Sequence, residues 1–320
     1  DTLEVSADYT LKNMLVDSAT GDLQFVFTDD AQNEHQATVL SQEASPVTTL
    51  KLLKEGGGAS EFSLLVTQDP AGTFAAATDL PTKIAGSAGA DIFVGGRGDD
   101  EIFANDGDDV IDGGAGNDKI EGGGGDDTFI VSDGVDSIIS GVGSDVLEIP
   151  ARYTLNSVVL DSASGNLEFT LVNRENSGSH KVTIEGHQTG QLSTLRVYSD
   201  ETVFEDFSLE VQAQGSGSYV AKTDNPTFMV GTDAGSGETL TGGDGNDVFM
   251  GNAGDDIQYG MGGDDTFKVS DGDDFVISGD GKDILEIGAE YSIQKIETLS
   301  DGSGRQKYTM SKANDSNLHS

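Results

Sequence analysis

Residues 86–148 read GSAGADIFV, GGRGDDEIF, ANDGDDVID, GGAGNDKIE, GGGGDDTFI, VSDGVDSII and SGVGSDVLE, seven nonapeptides in unbroken phase. The fourth position is always glycine: Gly89, Gly98, Gly107, Gly116, Gly125, Gly134 and Gly143. The sixth is always aspartate: Asp91, Asp100, Asp109, Asp118, Asp127, Asp136 and Asp145. The eighth is always apolar: Phe93, Ile102, Ile111, Ile120, Phe129, Ile138 and Leu147. Residues 242–286 repeat the pattern five times, as GGDGNDVFM, GNAGDDIQY, GMGGDDTFK, VSDGDDFVI and SGDGKDILE. Their sixth positions are Asp247, Asp256, Asp265, Asp274 and Asp283, and a degenerate turn with Glu238 and Leu240 precedes them.

The residue types follow from what such a repeat must build. Six residues form a tight turn, for which glycines supply the positive φ angles. Three residues form a short strand whose eighth-position side chain points inward. Glycine and aspartate at a fixed period of nine are the signature of a calcium-binding parallel β-roll. Calcium takes roughly six to eight oxygen ligands from carboxylates and carbonyls. The sixth-position aspartate provides the charged oxygen, and turns lacking Cβ atoms let carbonyls converge. The glycines placed to do so are Gly95, Gly98, Gly107, Gly113, Gly114, Gly116, Gly122, Gly125, Gly134 and Gly143 in the first block. In the second they are Gly242, Gly254, Gly263, Gly272 and Gly281. The alternative for a single aspartate is a solvated turn residue. It stays open for the edge turns of Asp91 and Asp247, and for turns with Ala90, Val135, Ser144 or Lys282 at the fifth position. Gln258 is the one polar residue at an inward position, and either faces a roll end or marks a weak turn.

Composition agrees with dependence on cations. The chain has 320 residues, a net charge of −40, and 57 acidic against 17 basic side chains. That charge repels itself in a compact state, and with only 35% hydrophobic residues the chain sits near the disordered class. Such acidity excludes nucleic acid and anionic membrane as direct partners, since both require basic patches. There is no cysteine, so stability must come from something other than disulfides, and metal is one source. No apolar run approaches the ~18 residues of a transmembrane segment. Residue 1 is Asp, which leads to the expectation that the chain is a fragment or processed piece.

The two blocks resemble the repeats-in-toxin (RTX, haemolysin-type) family of secreted bacterial proteins. The resemblance implies an all-β fold in which two nonapeptides make one coil, and an ion between each turn and the next turn on the same side, two repeats on. It implies that the fifth residue of the earlier turn faces the sixth-position aspartate of the later one. On that basis Asp99 faces Asp118, Asp108 faces Asp127, Asn117 faces Asp136 and Asp126 faces Asp145. In the second block Asn246 faces Asp265, Asp255 faces Asp274 and Asp264 faces Asp283. An eighth pair, Ala90 with Asp109, lacks the fifth-position ligand. About eight calcium ions follow, bringing roughly +16 of charge.

The segments around the blocks repeat as well. LEVSADYTLKNMLVDSATGDLQFVF from Leu3 matches LEIPARYTLNSVVLDSASGNLEFTL from Leu147, and the offset stays at 144 to 145 residues. A third copy starts at Leu285, so the chain starts and ends inside flanks. Leu23, Phe25 and Phe27 alternate with polar residues, as do Leu167, Phe169 and Leu171, which reads as strand. The flanks resemble the haemolysin-type capping segment of the family. A β-rich flank can cover the open end of a roll; the alternative is an unrelated β-domain with its own binding role. The expected organisation is flank 1–80, roll 81–148, flank 149–226, roll 227–286 and partial flank 287–320.

Catalytic signatures are lacking. The four histidines, His35, His180, His187 and His319, form no HExxH, and neither a GxSxG nor a Walker motif occurs. Arg97-Gly98-Asp99 spells an integrin-type tripeptide, but Gly98 and Asp99 are required by the repeat. Asp69-Pro70 resembles the bond cut in calcium-triggered self-processing modules, yet the second copy has Gln214-Gly215 there. The expectation is therefore no enzyme, but a calcium-binding region of a large secreted adhesin- or toxin-like protein. The family resemblance implies export by the type I secretion machinery, an extracellular or cell-surface location, and neighbouring units of the same tandem array as partners. A carbohydrate-binding accessory module of a polysaccharide-active enzyme, with a cell-surface or glycan ligand, is the alternative.

Overall fold

A computed structural model describes residues 2–16, 23–39, 49–53, 59–64, 66–68, 73–76, 79–187, 192–209, 211–213, 217–268, 270–288, 291–298, 306–312 and 318–319. Among these residues the chain is all β, without an α-helix. It divides into two compact units. One comprises Asp1–Asn156, Phe169–Leu192 and Arg196–Phe204; the other comprises Ser157–Glu168, Ser193–Leu195 and Glu205–Ser320.

The first unit contains a roll of two parallel sheets. One sheet stacks Ile92–Val94, Val110–Asp112, Thr128–Ile130 and Asp145–Ile149. The other stacks Lys83–Ala85, Glu101–Asp106, Lys119–Gly124 and Val135–Val142. Ile92 pairs with Val110 and Val110 with Thr128, while Glu101 pairs with Lys119 and Lys119 with Ser137. Each step spans two nonapeptides, so successive repeats alternate between the sheets. That alternation points the eighth residue of every repeat into one shared interior. Phe93, Ile102, Ile111, Ile120, Phe129, Ile138 and Leu147 are all buried there.

Both ends of this roll are covered by flank residues of the same unit. Before it, Tyr9–Val16, Leu23–Asp29 and Glu34–Val39 form an antiparallel sheet. Thr2–Val5 runs parallel to Thr49–Leu53. Val5, Met14, Phe25, Phe27, Leu50 and Leu64 pack with Ala85 and Phe103 of the roll into one cluster. After the roll, Ser179–Ile184 pairs in parallel with Val135–Val142, the last roll strand of its own sheet, with Val135 opposite Lys181 and Ile138 opposite Ile184.

The second unit repeats the architecture. Ser218–Ala221, Thr239–Thr241, Ile257–Tyr259 and Phe275–Ile277 form one sheet, and Phe228–Val230, Val248–Met250, Thr266–Lys268 and Ile284–Glu286 the other. The step from Val248 to Thr266 is again two nonapeptides, but Phe228 pairs with Val248 and Ser218 with Thr239. The longer steps mark the degenerate turn. Leu240, Phe249 and Phe267 fill the interior with Met229, and the two phenylalanine rings stack at 4.8 Å. Val276 and Leu285, the last two inward positions, are exposed. Gln258 is buried within the roll rather than at an end.

Candidate metal centres

Each turn folds back so that its backbone touches the turn two repeats earlier. At the fourth position Gly116 has φ +140°, and a Cβ there would lie 2.1 Å from the Gly98 carbonyl oxygen. Only glycine meets both demands.

The sixth-position carboxylates point inward. Asp100, Asp109, Asp118, Asp127, Asp136, Asp145, Asp256 and Asp265 are buried, and so are the edge residues Asp91 and Asp247. From Asp100 onward each uses Oδ1 to accept a backbone N–H from the preceding same-side coil. Asp118 Oδ1 accepts from Asp100 N at 2.8 Å, Asp127 from Asp109 N at 3.0 Å, and Asp145 from Asp127 N at 3.0 Å. In the second roll Asp265 accepts from Asp247 N, Asp274 from Asp256 N and Asp283 from Asp265 N, at 2.8, 3.1 and 3.1 Å.

The second oxygen divides ten of the twelve turns into two kinds. Oδ2 of Asp100, Asp109, Asp118, Asp127, Asp256 and Asp265 is buried without a hydrogen-bond partner. In all six turns the second residue is left-handed: Gly96, Asn105, Gly114, Gly123, Asn252 and Met261 have φ between 68° and 108°. In the other kind, residues at the second position occupy Oδ2. Ser87 N and Oγ donate to Asp91, Ser132 Oγ to Asp136, Gly243 N to Asp247 and Ser270 Oγ to Asp274. The left-handed second residue thus leaves Oδ2 available.

The available oxygen faces a notch. A Cβ on Gly95 would lie 2.7 Å from Asp100 Oδ2 and 2.2 Å from the Gly113 carbonyl oxygen. On Gly113 and Gly122 it would lie 2.4 and 2.5 Å from Oδ2 of Asp118 and Asp127. Carboxylate and carbonyl oxygens therefore converge where side-chain bulk is missing. Among the described residues no three His, Cys, Asp or Glu side chains gather to hold a metal by themselves. The donor set is all oxygen, with carboxylates sparse and carbonyls plentiful. It fits calcium and not zinc, which takes nitrogen and sulfur ligands.

Electrostatics agree. Burial pushes Asp100, Asp109 and Asp127 up to about 7 and Asp118 up to about 8, with neighbouring carboxylates adding to the shift. Asp136 and Asp265 rise to about 6 for the same first reason. These are charges the fold penalises until a cation neutralises them.

The fifth-position side chains lie on the exposed rim. Asp99 Oδ1 accepts from Asn117 N, Asn117 Oδ1 from Val135 N, Asp108 Oδ1 from Asp126 N and Asp126 Oδ1 from Ser144 N, at 2.8 to 2.9 Å. Asn246, Asp255 and Asp264 do the same for Asp264 N, Asp273 N and Lys282 N. Each thus binds the backbone of the fifth residue one coil on.

Arg97 is exposed, 4.0 Å from Asp79, while Asp99 of the same tripeptide is held in the rim ladder. His180 Nδ1 accepts from Gly134 N at 2.8 Å, and His35 lies 3.1 Å from Asp29. His187 is pushed down to about 4 by burial. Asp69-Pro70 and Gln214-Gly215 lie outside the described residues.

Comparison with known proteins bears on the same residues. The RTX calcium-binding nonapeptide repeat matches in four copies, at residues 85–120, 112–147, 234–267 and 259–289. No curated protein matches the chain. Among solved structures the extracellular lipase LipA from Serratia marcescens is similar, with 21% identity and a TM-score of 0.23. That similarity covers 72% of this chain and 35% of the lipase, so the chain spans about a third of that protein's length.

Proposed function

Since residues 85–147 and 234–289 belong to the RTX calcium-binding nonapeptide repeat family, we propose that this chain is a structural region of a larger secreted bacterial protein, adhesin- or toxin-like, that folds when it meets extracellular calcium. The observation that carries this reading is the set of buried, partnerless Oδ2 atoms at Asp100, Asp109, Asp118, Asp127, Asp256 and Asp265, each in a turn with a left-handed second residue. These carboxylates and the glycine carbonyls beside them would hold calcium. The ion would supply the charge neutralisation that lets so acidic a chain compact.

Export fits the same energetics. Calcium sites of extracellular modules, with dissociation constants on the order of 10⁻⁴ to 10⁻³ M, stay empty in the cytosol and fill outside the cell. A chain unfolded inside suits passage through a type I secretion channel. The flanks act as caps and spacers between rolls in a tandem array, without catalysis of their own. Circular dichroism tests the reading. Coil is expected in chelator and β structure on adding millimolar calcium; a chain fully folded in chelator would contradict it.

A further inference from the structure

The first unit holds residues of two flank copies, and the copies differ in what covers them. In the second copy Ser179–Ile184 pairs with Val135–Val142 of the roll, and Lys181 N donates to the Gly134 carbonyl at 2.9 Å. Three side chains complete that contact. Tyr153 Oη donates to Asp133 Oδ1 at 2.6 Å, Asn173 Nδ2 donates to the same oxygen at 3.1 Å, and His180 Nδ1 accepts from Gly134 N at 2.8 Å. Tyr153 is 2% exposed there, and Val182 and Ile184 are buried.

The first copy carries the same parts uncovered. Tyr9, Asp29 and His35 take the places of Tyr153, Asn173 and His180. The Tyr9 and His35 rings meet edge to face at 5.1 Å, as Tyr153 and His180 do at 5.6 Å. Glu34–Val39 stands where Ser179–Ile184 does, but it is the last strand of its sheet and pairs only with Leu23–Asp29 among the described residues. Tyr9 is 38% exposed, and Gln36, the counterpart of Lys181, is exposed as well. This copy reaches the roll that follows it through Phe25, Phe27 and Leu50 against Ala85 and Phe103. An open strand edge flanked by an exposed Tyr–His pair is a surface for strand addition.

One residue sets what that surface fits. Asn173 donates to the roll's aspartate, and Asp29 cannot. Its carboxylate accepts from Ala31 N, Asn33 N and Asn33 Nδ2 at 2.8 to 3.0 Å and lies 3.1 Å from His35 Nε2. These bonds, the Asn33 side chain first, hold it ionised, down to about 2. A turn with aspartate in the place of Asp133 would set two carboxylates against each other, whereas an amide or ammonium there would find an acceptor.

We propose that Tyr9, Asp29, His35 and the outer edge of Glu34–Val39 dock the last coil of a calcium-loaded nonapeptide roll from another unit, and that Asp29 selects a roll with a hydrogen-bond donor where Asp133 stands. Gln36 then takes the part of Lys181, and Val39 that of Ile184. The proposal rests on the reading above, in which flanks cap calcium-loaded rolls.

The test extends the intact chain with residues 81–144 placed ahead of Asp1, so that Asp1-Thr2-Leu3 follows them as Asp145-Val146-Leu147 does. One version keeps Asp133 in the added copy and the other carries Asp133→Asn there. Hydrogen exchange over residues 34–39 is read by mass spectrometry in saturating calcium, and native mass spectrometry counts the ions. The Asn version is expected to slow exchange over 34–39 by roughly tenfold or more relative to the unextended chain, and the Asp version by less. Asp29→Asn is expected to raise protection in the Asp version. Exchange at the unextended rate in both versions, with the added copy holding its ions, overturns the docking; equal protection in both overturns the selection by Asp29. If the added copy takes up no ions, duplicating residues 1–144 ahead of Asp1 gives it its own leading flank. Half of the 34–39 population should then be protected when that copy carries Asp133→Asn, and no protection overturns the proposal. An unextended chain that binds no calcium overturns the broader reading instead.

Discussion

Tyr153 Oη donates to Asp133 Oδ1 at 2.6 Å, and in the second unit Tyr291 Oη donates to Asp271 Oδ1 at 2.7 Å. In both cases a flank tyrosine fastens the third residue of the VSDG turn about one coil before it, 20 residues back. Asn173 Nδ2 adds a 3.1 Å bond to Asp133, and the Tyr153 hydroxyl first of all holds that carboxyl below its usual range. These are turns in which serine already satisfies the sixth-position aspartate, Ser132 for Asp136 and Ser270 for Asp274. Where the roll hands over to the flank, side chains do part of what a cation would do further in.

Replacing Tyr153 with Phe should therefore cost stability without costing calcium. A hydrogen bond to a charged acceptor contributes about 1.5–3 kcal/mol, and Asp133 keeps Asn173 as compensation, so a loss near about 1.5 kcal/mol is expected. Urea unfolding at saturating calcium measures it. A variant that loses an ion instead would show that the tyrosine acts on a metal turn.

The repeat phase was legible because each position has one physical task. Glycine where backbones touch, aspartate where a donor ladder meets a cation, and Phe93 or Ile111 where the interior lies are demands that few residues meet. The two-repeat step from Ile92 to Val110 and the burial of Phe129 follow from them. Other features carry weaker marks. Asn105, Asn252 and Met261 adopt the left-handed conformation at the second position, φ 78°, 68° and 76°, although only glycine signals it strongly. Asn105 Nδ2 and Asn252 Nδ2 reach back to the Gly86 and Gly231 carbonyls, a local reward that periodicity does not reveal. The parallel pairing of Ser179–Ile184 with Val135–Val142 joins segments separated by a whole flank hairpin, and no local pattern specifies so distant a match.

Acid and calcium should substitute for one another. Asp100, Asp109, Asp118 and Asp127 have folded-state values raised to about 7 or 8, against 3.8 ordinarily. A carboxyl that holds its proton more tightly when folded favours the fold at low pH, and that contribution is lost as pH rises through the folded value. In calcium-free buffer, β content should be greater near pH 5 than at pH 8. Calcium affinity should run the other way, weakening from pH 8 to 6 as protons compete for the same oxygens. Circular dichroism and calcium titration at both ends of the range decide it; a calcium-free chain that gains structure with rising pH would refute the burial argument.

Glycine positions should separate sharply. In Gly116→Ala the added carbon would meet the Gly98 oxygen at 2.1 Å in a left-handed backbone, so a loss of more than about 2 kcal/mol is expected. In Gly89→Ala the nearest atom, Ser87 Oγ, is 3.9 Å away, and the change should stay within about 0.5 kcal/mol. Denaturant midpoints of the two variants in calcium provide the comparison, and equal losses would contradict the close approach of successive turns.

Ending the chain after Ile149 tests what the flank strand does for the first roll. In the intact chain Lys181 N donates to the Gly134 carbonyl and Glu185 N to the Ile138 carbonyl, each at 2.9 Å. Without residues 179–184 the edge of Val135–Val142 presents unpaired donors and acceptors, and Ile138 loses its neighbour Ile184. An exposed parallel edge beside an apolar interior recruits other strands. Light scattering in saturating calcium should show residues 1–149 forming larger assemblies than residues 1–187. Equal size and equal thermal midpoints would mean that the roll closes its own end and that the flank merely follows it.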